Sequence, residues 1–95
     1  MKEALAREHL KKLNADWQIT KSNTYIERTF VFKDFSEALG FVNTVAAIAE
    51  EQGHHPDITI FSYKNVTISL STHVIGGISY NDFIVAAKID VIKKE

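Results

Sequence analysis

The chain has 95 residues, 45% hydrophobic and 24% charged, and its eleven Lys and Arg against twelve Asp and Glu leave a formal net charge of −1. That is the composition of a globular protein and not of a disordered one, and with no basic block longer than two residues it lacks the electrostatic footprint of a nucleic-acid binder. The absence of cysteine excludes disulfides, thiolate chemistry and Cys-type zinc sites, and apolar runs of at most five residues fall far short of the ~20 needed to span a bilayer.

One domain over residues 1–95 is expected, and a domain this small buries only about 60–70% of its extended-chain surface, which makes self-association a reasonable expectation. Residues 2–13 set Leu5, His9, Leu10 and Leu13 near a 3.6-residue period and predict a first helix, with Asn14 as its left-handed stop. Arg7, Glu8, Lys11 and Lys12 interrupt this segment, unlike the apolar stretch of a signal peptide, so the expected location is cytoplasmic. Residues 17–20 and 24–33 flank Lys21-Ser22-Asn23 and predict an antiparallel hairpin. In its second strand Ile26, Arg28, Phe30 and Phe32 share one side, with Tyr25, Glu27, Thr29 and Val31 on the other. Asp34-Phe35-Ser36-Glu37 has the form of a capping box opening a second helix, with Phe35, Leu39, Val42, Val45, Ala46 and Ala49 as its apolar face and Gly53 as its αL terminator.

His54 and His55 then follow a helix C-terminus, and Pro56 biases His55 toward extended angles. Residues 58–63 and 66–73 predict two more strands joined at Lys64-Asn65. Val66, Ile68, Leu70 and Thr72 alternate with Thr67, Ser69, Ser71 and His73, which puts His73 at the end of a polar stripe. Gly76-Gly77 reads as a flexible connection. Ser79-x-x-Asp82 is a second capping box, with Ile78 and Phe83 as a hydrophobic staple, opening a last helix through about Ile92. The order α-β-β-α-β-β-α implies an α+β domain, a four-stranded antiparallel sheet with helices packed on one face. Apolar residues on more than one side of helices two and three suggest that another subunit covers part of each.

The chemistry concentrates in Glu50-x3-His54-His55-Pro56-x6-Tyr63-x9-His73-x8-Asp82. Histidine, with an unperturbed pKa of about 6.5, serves as acid or base near neutrality. The same residues have plainer readings: His54 and His55 can interact with helix C-terminal carbonyls, His73 can be a solvated strand end, and Asp82 a capping residue. Metal ligation is disfavoured, because adjacent histidines on extended chain diverge and no His-x3-His, His-x-His or Glu-x2-His pair puts two ligands on one face.

The motif, together with Trp17, Phe30-Val31-Phe32-Lys33-Asp34-Phe35, Gly40-Phe41, Val45-Ala46, the run 67–73, and Ser79 with Asp82, resembles the pterin-4a-carbinolamine dehydratase family, also known as the dimerisation cofactor family. The resemblance implies dehydration of 4a-hydroxytetrahydrobiopterin to quinonoid dihydropterin in tetrahydrobiopterin recycling, without metal or organic cofactor. It carries the catalytic roles onto His54, His55, His73 and Asp82, and places Glu50, Pro56, Phe61, Ser71 and Thr72 at or behind the substrate. It further implies a homodimer or homotetramer, and leaves open a non-catalytic reading in which helix 35–49 binds a protein partner as a coactivator or assembly module. Two positions depart from many members: Asp57-Ile58-Thr59-Ile60 separates His54-His55-Pro56 from the aromatic Phe61, and Asn81 stands where arginine is common.

Overall fold

The chain runs α1 (Glu3–Leu10), β1 (Gln18–Ile19), β2 (Ile26–Val31), α2 (Phe35–Gln52), β3 (Asp57–Phe61), β4 (Asn65–Leu70), a short three-ten turn η1 (His73–Ile75) and α3 (Tyr80–Ile92). This computed structural model describes residues 1–20 and 22–92; Lys21 of the first hairpin connection and the last three residues of the expected domain lie outside them.

The four strands form one antiparallel sheet in the order β1-β2-β4-β3. The period-two alternation read from the sequence selects its two faces. Ile26 pairs with Leu70, Arg28 with Ile68, and Phe30 with Val66, all buried, while Ile58 and Ile60 of β3 continue the same rows. Ala6 of α1, Ala38, Phe41 and Val45 of α2, and Phe83, Val85, Ala86 and Ile89 of α3 close over this face to form the core. The opposite face is hydroxylic: Thr29 and Thr67 share a hydrogen bond of 2.8 Å, and Ser69 Oγ donates to Glu27 Oε2 at 3.0 Å.

Arg28 is the one charged residue on the core side of β2, and it is 5% exposed. Its Nη1 donates to Asp90 Oδ1 at 2.8 Å, and its guanidinium lies 4.2 Å from the centre of the Phe30 ring. Asp90 also accepts from Trp17 Nε1 at 2.8 Å and from the Asn14 N–H at 3.1 Å. One carboxylate of α3 thus ties down β2 and the α1–β1 connection.

Helix α2 starts as expected, with the Glu37 N–H donating to Asp34 Oδ1 at 2.8 Å; the return bond goes one residue further, from the Lys33 N–H to Glu37 Oε1 at 3.1 Å. Its buried face differs from the expected one. Val45 and Ala49 are in the core with Ala38 and Phe41, whereas Phe35, Leu39 and Ala46 face outward.

Several local expectations are corrected. Helix α1 stops at Leu10 because the chain tightens into i→i+3 bonds, Lys12 N–H to His9 O and Leu13 N–H to Leu10 O. Asn14 is not left-handed; its side chain accepts from the Asp16 N–H at 2.8 Å in a local turn. The second hairpin turns over three residues, 62–64, with Ser62 and Tyr63 at φ of 47° and 54°. β4 ends at Leu70, so His73 opens η1 rather than ending a strand. The Gly76-Gly77 connection is held by paired backbone bonds between Thr72 and Gly77, with Gly76 at φ 62°.

Candidate active site

The site begins at the end of α2. Gly53 takes φ 61°, ψ 33°, a conformation in which a Cβ is unfavourable. The Gly53 N–H then bonds Glu50 O and the His54 N–H bonds Ala49 O, the paired closure of a Schellman end. This turn throws His54 back across the start of α3, and Pro56 carries His55 outward into β3.

His54 Nε2 lies 2.5 Å from Asp82 Oδ1. Asp82 is completely buried, and a buried carboxylate must be saturated with donors to remain charged. Its second oxygen, Oδ2, accepts from the Ser79 N–H at 2.8 Å and from Thr72 Oγ1 at 3.0 Å. The first of these is the return half of the expected capping box; the other half is missing, because Ser79 Oγ instead bonds Thr72 Oγ1 at 2.6 Å. Asp82 therefore caps α3 with one oxygen and holds His54 with the other. Its position in the first turn also gives it the favourable end of the helix dipole.

A second imidazole–carboxylate pair, His55 Nε2 with Glu50 Oε2, is solvent-exposed on both sides. Water screening makes such a pair weak, so its energetic weight differs from that of the buried one. His73 is exposed at the start of η1. An open cavity of about 370 Å³ is lined by His54, His55, Pro56, Thr72, His73 and Val74, among others. The three histidines thus converge on one space from two chain segments, the α2–β3 corner and the β4–α3 connection.

The remaining expected site residues fall into three groups. Thr72 lines the cavity and supports Asp82, and Pro56 forms part of the wall. Ser71 borders the cavity, but its hydroxyl points into the fold and donates to Thr24 O at 2.7 Å. Phe61 is not brought to the site: it ends β3, roughly 13 Å along the strand from Asp57, and pairs with Asn65. Tyr63 lies beyond it in the hairpin turn, and Asn81 is exposed on α3. The fourth histidine, His9, packs edge-on to Tyr80 at 4.9 Å and against Phe83, away from this cavity. Val74, 95% exposed at the cavity rim, carried no signal in the sequence beyond its place after His73. The sequence marks the hydroxyl of Ser79 only as a cap. Among the described residues, no group of three His, Asp or Glu side chains has the arrangement to hold a metal ion, and no helix is long and apolar enough to cross a membrane.

A buried carboxylate behind an imidazole, with two further imidazoles across a small open cavity, is equipped for proton transfer to and from a bound small molecule. Comparison with known proteins agrees with the motif. A Rhodospirillum rubrum relative, provisionally named a pterin-4-alpha-carbinolamine dehydratase, is 53% identical over 77 residues, covering 81% of this chain and 79% of its own. A Legionella pneumophila protein with the same provisional name is 44% identical over 81 residues, 85% of this chain and 71% of that one. A crystal structure described as a transcriptional coactivator/pterin dehydratase from Brucella melitensis superposes with a TM-score of 0.89 at 36% identity, covering 97% of this chain and 96% of that one. A pterin dehydratase-like protein described as a RuBisCO assembly factor in the alpha-carboxysome shares the fold, with a TM-score of 0.71 at 23% identity over 86% of this chain and 94% of its own. The family model described as Pterin 4 alpha carbinolamine dehydratase matches residues 1–92, and the chain belongs to that family.

Proposed function

We propose that the chain catalyses loss of water from 4a-hydroxytetrahydrobiopterin to give quinonoid dihydropterin, in recycling of tetrahydrobiopterin. The observation that carries this reading is the convergence of His54, backed by the buried Asp82, with His55 and His73 on one cavity. The reaction breaks the C4a–O bond, the oxygen leaving as water once protonated. A ring N–H gives up its proton, and the electron pair left behind forms the new C=N bond. One acid and one base suffice, each worth about 10²–10⁴-fold when positioned. His54 and His73 divide these two roles, while His55, held by Glu50 at the open side, binds the pterin ring.

The test is dehydration of 4a-hydroxytetrahydropterin, generated in situ by a hydroxylase and followed by ultraviolet absorbance. Acceleration that survives a metal chelator and is lost in His54→Ala supports the reading. No acceleration by the folded chain over buffer overturns it. If His55→Ala lowers turnover as severely as His54→Ala without weakening binding, the division of labour is wrong.

A second reading has its own observation. The outer face of α2 exposes Phe35 and Leu39 in line with Ala46, a surface suited to a homodimer or homotetramer contact or to a protein partner. The coactivator description of the Brucella protein is in keeping with the latter. A pull-down abolished by Leu39→Glu but insensitive to His54→Ala favours a binding role over catalysis.

A further inference from the structure

Asp82, Thr72 and Ser79 form a chain of hydrogen bonds in which the direction of every proton can be worked out. A carboxylate only accepts, so each of the three partners of Asp82 must donate to it. His54 Nε2, at 2.5 Å from Oδ1, therefore carries a proton. Thr72 Oγ1, at 3.0 Å from Oδ2, spends its single proton on the carboxylate. Thr72 Oγ1 can then only accept from Ser79 Oγ at 2.6 Å. The Ser79 N–H supplies the third donor at 2.8 Å. Asp82 is 0% exposed and His54 has 14% of its side chain exposed, so water does not compete freely for these positions.

We infer that Ser79 and Thr72 are positioning residues that fix His54 in the tautomer with Nε2 protonated and Nδ1 bearing the lone pair. His54 is thereby the base of the pair and His73 the acid. This rests on the dehydratase reading for its catalytic half, whereas the tautomer rests on the hydrogen-bond geometry with Asp82 acting as a carboxylate. In the proposed step the Nδ1 lone pair takes the ring proton, and the resulting imidazolium is stabilised by Asp82. His73 gives its proton to the departing hydroxyl, and net transfer from His54 to His73 through solvent restores the starting state. Without the Thr72 hydroxyl, Asp82 Oδ2 loses one of its two donors and the carboxylate gains freedom to rotate, taking the His54 ring with it.

The test uses the full chain with ¹⁵N-labelled histidine, comparing native protein with Thr72→Val, Thr72→Ser and Ser79→Ala. In the native protein, ring NMR is expected to resolve a hydrogen-bonded Nε2 proton on His54 and an unprotonated Nδ1. Thr72→Val broadens or removes that resonance and lowers kcat about tenfold with little change in KM, the size of one hydrogen bond to a charged group. Thr72→Ser restores both, and Ser79→Ala gives a smaller loss of about threefold. Should Thr72→Val fail to fold, Ser79→Ala and Thr72→Ser carry the comparison, because Ser79→Ala keeps the backbone donor. An unchanged resonance and kcat in folded Thr72→Val, or equal losses in Thr72→Val and Thr72→Ser, overturns the inference. If the resonance behaves as expected but the native chain does not dehydrate the pterin, the positioning role stands and the dehydratase reading falls.

Discussion

Replacing Asp90 by alanine should be among the most destabilising single changes in the chain. Asp90 is only 18% exposed in its side chain, and it accepts from Trp17 Nε1, from Arg28 Nη1 and from the Asn14 N–H. The Arg28 side chain is 4% exposed, and its other carboxylate neighbour, Asp16, is 3.8 Å away and 72% exposed, too solvated to replace Asp90. Removing one partner of a buried pair typically costs about 3–5 kcal/mol, because the remaining charge stays buried without compensation. Against a total stability of roughly 5–15 kcal/mol for such a domain, that is a large fraction. With a urea m-value of about 1.5 kcal/mol/M, the denaturation midpoint should fall by about 2–3 M at unchanged m. The double variant Arg28→Met/Asp90→Leu removes the stranded charge but leaves Trp17 Nε1 without its acceptor. It should recover part of the loss, staying below native by about 1–3 kcal/mol. A cost under about 1 kcal/mol for Asp90→Ala, or a double variant no better than the single, would refute the reasoning from buried charge.

The site and its surroundings give further expected outcomes. Asp82→Asn retains the shape of the carboxylate but turns an N–H toward His54 Nε2, demanding the opposite tautomer; dehydratase turnover should fall about 10²–10⁴-fold, with near-native circular dichroism. Gly53→Ala places a Cβ at φ 61° and should lower stability by about 1–2 kcal/mol, read from the urea midpoint. Leu39→Glu on the outward face of α2 should leave chemical stability of the isolated chain within about 0.5 kcal/mol of native. In sedimentation, the same variant should shift any self-associated species to monomer. EDTA should leave the dehydration rate unchanged.

The strands were legible because alternation has a single physical cause: the buried Ile26, Arg28 and Phe30 and the buried Val66, Ile68 and Leu70 each follow the pleat without exception. Helix α2 was harder. Phe35, Leu39, Val42 and Ala46 repeat with the same period as Ala38, Phe41, Val45 and Ala49, so hydrophobicity alone does not choose the inward face. The choice is made by the rings around Phe41, whose centre is 4.6 Å from that of Phe30 and 4.9 Å from that of Phe32. At the site, the family resemblance puts Asp82 among the catalytic residues, but the sequence does not say which imidazole it holds. That depends on the path of residues 71–79, where β4 stops early and the chain bonds back on itself between Thr72 and Gly77. The αL turn at Ser62-Tyr63 gave no warning, since neither residue is a type that favours it.

The strand order has a kinetic consequence. Each hairpin joins neighbours in sequence and can close in roughly 1–10 μs, but neither makes a sheet alone. The sheet forms only when β2 meets β4, pairing Ile26 with Leu70 and Val31 with Asn65, with all of α2 lying in the intervening chain. That long-range zipper is the slow step expected from contact order. His54, His55, His73 and Asp82 all lie C-terminal to β2, in the stretch from the end of α2 to the first turn of α3. The first third of the protein thus holds none of these four residues. It supplies the seam against which the other two thirds acquire a fixed shape, and a lesion in β1 or β2 should slow folding without altering the chemistry of the molecules that complete it.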